Sequence, residues 1–239
     1  MATLYVVGIG PGGKEHLTLK AVEALQRCQV IVGYSFYLEL IAEFTQGKTL
    51  IATGMTQEIA RCRRAIAEVQ QGRDTCIIST GDPGLYGMAG PILELAQGID
   101  VEIVPGVSAV FCAAAEVGAP IVHDMCTISL SDLLTPWKVI ESRLRHAAQG
   151  DFVIALYNPK SKGRSQHLAH AIQILLHYKQ PETPVALVKN AGRDQNDQRI
   201  VTLATIEYDF VDMKTVVIIG NKATYLHNGR MITPRGYHV

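Results

Sequence analysis

A chain of 239 residues with 48% hydrophobic and 18% charged residues has the composition of a globular protein that buries one large core or two small ones, which excludes a disordered or fibrous chain. Its 22 basic residues balance 22 acidic ones, so no net field gathers nucleic acid or an anionic membrane, and a small molecule is the expected partner. Cys28, Cys62, Cys76, Cys112 and Cys126 form no C-x-x-C pair, so no metal site is expected and the thiols read as reduced core residues.

The start, MATLYVVGIGPGG, lacks the basic and long apolar segments of a leader, and no apolar run reaches the roughly 18 residues that span a bilayer; a cytoplasmic address is expected. Strand-like runs then recur with helical stretches between them: LYVVGI (4–9), VIV (30–32), TLIAT (49–53), TCIIS (75–79) and VEIVPG (101–106). This alternation predicts βαβ units and a parallel sheet. Leu17, Ala21, Ala24, Leu25 and Cys28 form the buried stripe of a helix, and residues 56–71 predict another. SAVFCAAAEVG reads as an alanine-rich helix that GAPIVHD (118–124) interrupts, which sets the expected junction between an amino-terminal α/β domain, 1–120, and a carboxy-terminal α/β domain, 121–239. CTISLSD (126–132), DFVIALYNP (151–159), a helix over about 165–178, TPVALVKNAG (183–192) and TVVIIGN (215–221) follow, then a short tail.

Gly8, Gly10 and Gly13 satisfy G-x-G-x-x-G between a strand and a helix, the setting of a dinucleotide fingerprint. Two features count against that reading. The second strand ends VIVGYSFY without the carboxylate that holds ribose hydroxyls, and Pro11 removes an N–H where a pyrophosphate needs donors. A nicotinamide oxidoreductase therefore stands as an alternative, beside a turn that needs glycine only for its dihedrals. STGDPGLYGMAG (79–90), VPGVSAV (104–110) and the Gly33–Tyr34 turn also follow strands, and loops at the carboxyl ends of parallel strands are where such sheets bind ligands. In GDPGLYG, Asp82 is placed to end a strand and cap the next helix.

VGIGPGG, GDPGLYG and VPGVSA resemble the tetrapyrrole methylases, and GYSFYLELI, TGMTQEIARCRRA, HDMCTISLSDLLTPW, LYNPKSKGR, KNAGR and MITPRGY resemble the branch of that family that methylates C17. The resemblance runs the length of the chain. It implies an α/β fold of two αβα domains, with a mainly parallel amino-terminal sheet, a mixed carboxy-terminal sheet and an active-site cleft between them. It also implies transfer of methyl from S-adenosyl-L-methionine to precorrin-3B or cobalt-factor III with contraction of the ring, in cobalamin biosynthesis, by a homodimer. Another regiospecificity on the same macrocycle, or a tetrapyrrole binder without catalysis, remains open at this point. The donor would be held, by the same resemblance, by Pro11, Gly81, Asp82, Leu85, Ser108 and Ala109 in the first half. Leu130, Tyr157, Asn158, Asn190, Ala191, Thr202 and Leu203 would hold it in the second.

A sulfonium methyl is already electrophilic, so the chemistry asks chiefly for in-line placement, which contributes about 7–11 kcal/mol. Making the acceptor carbon electron-rich calls for a proton-handling group. Tyr34, His123 and Asp132 are the candidates, with Tyr37 and Asp124 beside them; relatives that methylate uroporphyrinogen carry an aspartate where this chain has Tyr34. The carboxylates of the implied substrate call for cations. Arg61 with Arg64, Lys160, Lys162 and Arg164 in NPKSKGR, and Arg235 offer them, with Gly10 and Gly12 as main-chain contacts. His167, His170 and His177 read as solvated histidines of an amphipathic helix rather than as ligands.

Overall fold

The computed structural model describes residues 2–161 and 163–237. The chain divides into two compact units at Ala109/Val110. In the first unit the elements run β1 (Thr3–Gly8), α1 (Leu19–Arg27), β2 (Val30–Tyr34), α2 (Ser35–Glu39), β3 (Thr49–Thr53), α3 (Glu58–Gln70), β4 (Thr75–Ser79), α4 (Ala89–Leu95) and β5 (Asp100–Val104). Five parallel strands lie in the order β3-β2-β4-β1-β5. Side chains alternate across a strand, and here both faces are covered. Tyr5, Val7 and Ile9 pack with Ala21, Ala24 and Leu25 of α1, whereas Leu4 and Val6 pack with Cys62, Ala65 and Val69 of α3 and Ile92 of α4. Burial on both faces is why the strands read as unbroken apolar runs, and each fully buried Leu or Ile contributes roughly 1.5–3 kcal/mol. Because all five strands are parallel, Gly8, Tyr34, Thr53, Ser79 and Val104 end at one edge.

The second unit contains α5 (Ala109–Val117), β6 (Gly118–Ala119), β7 (Met125–Ser129), α6 (Trp137–Gln149), β8 (Val153–Tyr157), α7 (His167–Leu176), β9 (Pro184–Lys189), β10 (Asp197–Thr202), β11 (Thr215–Ile219), β12 (Tyr225–His227) and β13 (Arg230–Ile232). Its sheet has the order β10-β9-β11-β8-β7. β7 and β8 are parallel, while β11 runs against both β8 and β9 and β10 runs against β9. The sheet is mixed, as expected. Ile128, Leu130, Ile154, Leu156, Leu187 and Val217 pack beneath Ile140 and Leu144 of α6 and Leu168 and Leu175 of α7.

Three departures from the expected layout have physical reasons. The division lies ahead of 120/121 because α5 is tied to the second unit: Val110 N donates to the Tyr157 hydroxyl, Gly192 N donates to Glu116 Oε1, and β6 pairs with β13. The short tail forms a hairpin, turned by Asn228 (φ 48°) and Gly229 (φ 72°), the left-handed pair that suits a two-residue turn. α6 and β10 were not foreseen. β10, DQRIVT, is a polar edge strand, whereas α6 carries a legible stripe of Ile140, Leu144, Ala147 and Ala148. No helix among the described residues is long and apolar enough to cross a membrane.

Candidate active site

At the carboxyl edge of the first sheet, three loops are laced together by main chain. Gly10 and Gly81 exchange hydrogen bonds, N to O at 3.2 Å and 2.7 Å, and Ile9 N donates to Ser79 O at 2.9 Å. A Cβ on Gly8 would lie 2.7 Å from Gly106 N and Gly81 O, and one on Gly106 would lie 2.3 Å from Gly81 O. Gly8 and Gly106 therefore have no side chain because neighbouring loops fill that space. Gly10, at φ +70°, would also press a Cβ to 2.7 Å from His16 O. His16 braces the turn, its Nδ1 donating to Gly12 O at 2.7 Å. Nor does α1 present its start to the turn. The 3-10 segment Lys14–His16 intervenes, and Thr18 caps α1 with its own hydroxyl, accepting from Ala21 N. The G-x-G-x-x-G spacing here serves loop-to-loop contact, and Gly10, Pro11 and Gly12 are all buried.

Asp82 fastens this rim. Its Oδ1 accepts from Gly84 N at 2.8 Å and its Oδ2 from Gly106 N at 3.1 Å, so it joins two loops instead of capping α4, whose N-cap is Met88. Leu85 N turns back to Asp82 O, Ser108 is buried, and Ala109 is half-buried. Arg61 does not face outward as expected. It is 4% exposed and donates through Nε to Thr53 Oγ1 (2.7 Å), through Nη2 to Gly54 O (2.9 Å) and through Nη1 to Met88 Sδ (3.7 Å). A guanidinium so placed pins the end of β3 to the segment before α4. Tyr34, half-buried, ends β2 with its ring edge-on to Tyr37 at 5.2 Å.

The carboxyl ends of β7, β8 and β9 share one end of the second sheet, set by the pairings Ser129–Tyr157 and Thr215–Lys189. Leu130, Tyr157, Asn158, Asn190 and Ala191 gather there. Asn158 (φ 51°) and Asn190 (φ 53°) are left-handed, a conformation that asparagine tolerates and that marks sharp, over-determined turns. Asn158 Nδ2 donates to Ser129 Oγ at 2.9 Å and Asn190 Nδ2 to Gln195 O at 3.0 Å. Leu130, fully buried, donates its N–H to Tyr157 O. Lys160 Nζ donates to Tyr208 O, and Arg164 donates to Ser161 Oγ and Met213 Sδ while its Nη1 has no hydrogen-bond partner. Lys162 lies outside the described residues.

Asp132 is paired rather than free. His167 Nε2 lies 3.0 Å from Asp132 Oδ2, and hydrogen bonding to His167 is the first cause that holds the Asp132 carboxyl below its usual range. His167 in turn meets the edge of Trp137 at 4.8 Å. The helix of histidines is thus not uniformly solvated, and the contacts made by His16, Trp137 and His167 are ones that spacing did not reveal. Among the described residues no His, Cys, Asp and Glu cluster gathers for a metal ion.

Other expected residues lie elsewhere. Thr202 pairs with Pro184 at the start of β9, the opposite end of the sheet from Asn190, and Leu203 is buried in the core. His123 and Asp124 are exposed and precede β7, where Asp124 O accepts from Val153 N at the start of β8. Arg235, donating to Val122 O, is at that end too. Strand direction separates all five from the rim.

The model of the tetrapyrrole (corrin/porphyrin) methylases matches residues 3–207. The probable cobalt-factor III C(17)-methyltransferase of Salmonella typhimurium is 50% identical over 238 residues, covering 98% of this chain and 99% of that protein. The precorrin-3B C(17)-methyltransferase of Sinorhizobium sp is 37% identical, covering 98% and 97%. The crystal structure of the methyltransferase CobJ matches with a TM-score of 0.94 and 35% identity over 98% of this chain and 100% of that one. With a family match of this extent, the chain belongs to the tetrapyrrole (corrin/porphyrin) methylases.

Proposed function

We propose that this chain is an S-adenosyl-L-methionine-dependent C-methyltransferase that methylates C17 of cobalt-factor III, with contraction of the macrocycle. The observation that carries this reading is 50% identity, end to end, with a protein named for that reaction. Precorrin-3B is the corresponding metal-free substrate, and the lower identity to its methyltransferase, 37%, favours the cobalt form. The reading includes a cytoplasmic homodimer.

The residues fit the donor. On the first unit the rim is neutral main chain and small side chains, Gly10, Gly81, Gly106 and Ser108, closed by an Asp82 whose two oxygens are both engaged. Such a wall suits a group whose positive charge disappears in the reaction, because a sulfonium gives up its methyl and leaves as a neutral thioether. Pro11, Gly81, Leu85, Ser108 and Ala109 are the proposed donor contacts there, with Asp82 fixing the loops. On the second unit Leu130, Tyr157, Asn158, Asn190 and Ala191 are the proposed contacts. Thr202 and Leu203 are not carried into the proposal.

What the protein contributes is placement: turns that cannot relax hold the methyl in line with the acceptor carbon, an effect of about 7–11 kcal/mol. Tyr34 is the proposed proton-handling group, since it alone of the three candidates sits on a rim without a carboxylate–imidazole pair. Lys160, Arg164 and, by sequence, Lys162 are the proposed cations for the substrate's carboxylates.

Calorimetry with S-adenosylhomocysteine tests the donor site, and labelled methyl donor with cobalt-factor III tests the position of transfer. Binding, and label at C17, are expected. A folded sample that ignores S-adenosylhomocysteine, or label at another carbon, overturns the corresponding half. Light scattering of the purified chain tests the dimer.

A further inference from the structure

Between β7 and α6 the chain makes a loop that is held at both ends and in its middle while its tip stands in solvent. Leu130 anchors the start, fully buried and bonded to Tyr157 O, and Ser131 N donates to Ser129 Oγ at 3.2 Å. Trp137 anchors the finish, its indole N–H donating to Glu141 Oε1 at 2.8 Å. In the middle Asp132 reaches His167 at the start of α7, at 3.0 Å, and the His167 ring lies edge-on to Trp137. Leu133 and Leu134, which follow Asp132, are 73% and 98% exposed.

A loop fixed this firmly does not expose two leucines through slackness; the anchors present them. Single exposed apolar residues are ordinary, but an adjacent pair at a tethered tip, on the same sheet end as Asn158 and Asn190, is an apolar edge. Cations lie beside it. The next loop carries Lys160 and Arg164, and the Arg164 charge helps to hold the Asp132 carboxyl below its usual range. Its Nη1 is buried without a hydrogen-bond partner, an unspent donor. An apolar edge flanked by cations is complementary to a flat conjugated ring bordered by carboxylates.

We propose that Leu133 and Leu134 form a rib that lies against one flat face of the tetrapyrrole substrate, and that Asp132 and His167 are positioning residues that hold it there. The inference rests on the methylase reading above and adds residues that recognise the macrocycle as distinct from the donor. In it the Asp132 carboxylate moves no proton during turnover.

The test uses the full-length chain, cobalt-factor III and labelled S-adenosyl-L-methionine, and compares wild type with the double variant Leu133→Ser/Leu134→Ser. Loss of two buried apolar contacts predicts a KM for the macrocycle raised about tenfold or more, with kcat within about twofold. S-adenosylhomocysteine affinity and thermal midpoint should not move, because both side chains are exposed in the free protein. Leu133→Met/Leu134→Met should restore KM. Asp132→Ala should raise KM by about threefold with kcat kept, and should add little to the double variant, since it acts through the same loop. An unchanged KM in the double variant, or a fall in kcat at constant KM, overturns the inference. So does a changed oligomeric state with unchanged KM, which would give the leucines to a second copy of the chain. If wild type turns over no macrocycle at all, the methylase reading fails first and the rib falls with it, a result visible before any variant is made.

Discussion

The two rims are built to the same end by different means. In the first unit, loops from parallel strands are joined main chain to main chain, Gly10 to Gly81 and Gly8 against Gly106, with a single carboxylate, Asp82, as the fastener. In the second unit the sheet is mixed, and beside one main-chain bond, Leu130 N to Tyr157 O, the loops are fastened by side chains, Asn158 to Ser129 and Asp132 to His167 between segments and Asn190 to Gln195 within one turn. Main-chain lacing leaves no space for a side chain and no rotamer to adjust. Side-chain fastening leaves the loops free to differ in what they display, as the Leu133–Leu134 tip does. The comparison teaches that the first rim is suited to a fixed task, such as the main-chain share of the proposed donor contacts, and the second to a task in which the displayed side chains differ.

The sharpest way to break the comparison is to put a methyl group into the lacing. Gly106→Ala would set a Cβ 2.3 Å from Gly81 O and 2.8 Å from the Gly8 main chain, where backbone on both sides cannot give way. The expected cost is about 3 kcal/mol, a fall in Tm of roughly 6–12 °C for a chain of this size. Gly90→Ala is the control. Nothing beyond its chain neighbours and its helix's own backbone lies within 4 Å of its Cβ, and since the helical gain of alanine is offset by the Pro91 ring that follows, stability should change by less than about 1 kcal/mol. Equal effects of the two by calorimetry would mean that the first rim is not close-packed.

Lys179 probes the second unit at the end of its sheet away from the rim. Its buried ammonium donates to Phe152 O and Gly220 O, both at 3.0 Å, with Asp151 Oδ1 at 3.5 Å. Burial draws its pKa down and Asp151 partly restores it. Lys179→Met leaves those acceptors unmatched and should cost about 2 kcal/mol without altering S-adenosylhomocysteine affinity. A large loss of affinity would show that the two ends of this sheet are coupled.

Asp82→Asn is milder in stability and more telling in function. The amide keeps one acceptor oxygen where the carboxylate serves both Gly84 and Gly106, a loss of about 1.4 kcal/mol, or tenfold in donor affinity. Titration of S-adenosylhomocysteine by calorimetry checks this. Unchanged affinity would remove Asp82 from the rim's function.

How much of this was legible follows from the same contrast. The strands of the first sheet announce themselves because burial on both faces makes them unbroken apolar runs, and its loops announce themselves by Gly and Pro. The function of G-x-G-x-x-G was less legible: only the structure shows that Gly8 faces Gly106, almost a hundred residues on, rather than a ligand. In the second unit β10 was hidden by its polarity. Arg61 looks in sequence like any helix cation, yet Thr53, Gly54 and Met88 take its donors. The Asp132–His167 pair joins two elements distant in sequence, and no spacing rule reaches across that gap. Thr202, Leu203 and His123 lie at the opposite end of the sheet from Asn190: a resemblance assigns positions one at a time, whereas strand direction decides which of them can meet.

The smallest expected effect concerns the fastening itself. The folded Asp132 carboxyl titrates below its ordinary value, first through its hydrogen bond with His167 and further through its own main chain and the charges of His167 and Arg164. A carboxyl depressed on folding contributes stability that is fully present above the unfolded value, about 3.9, and is lost as pH falls through the folded one. The advantage of wild type over Asp132→Asn should therefore hold at pH 5 and fade as the pH drops below about 4. Because the carboxylate stands largely in solvent, salt should shrink the difference as well. Urea titrations of both proteins across that range measure it. A difference that grows as acid is added would mean that Asp132 is fastened by something other than its charge.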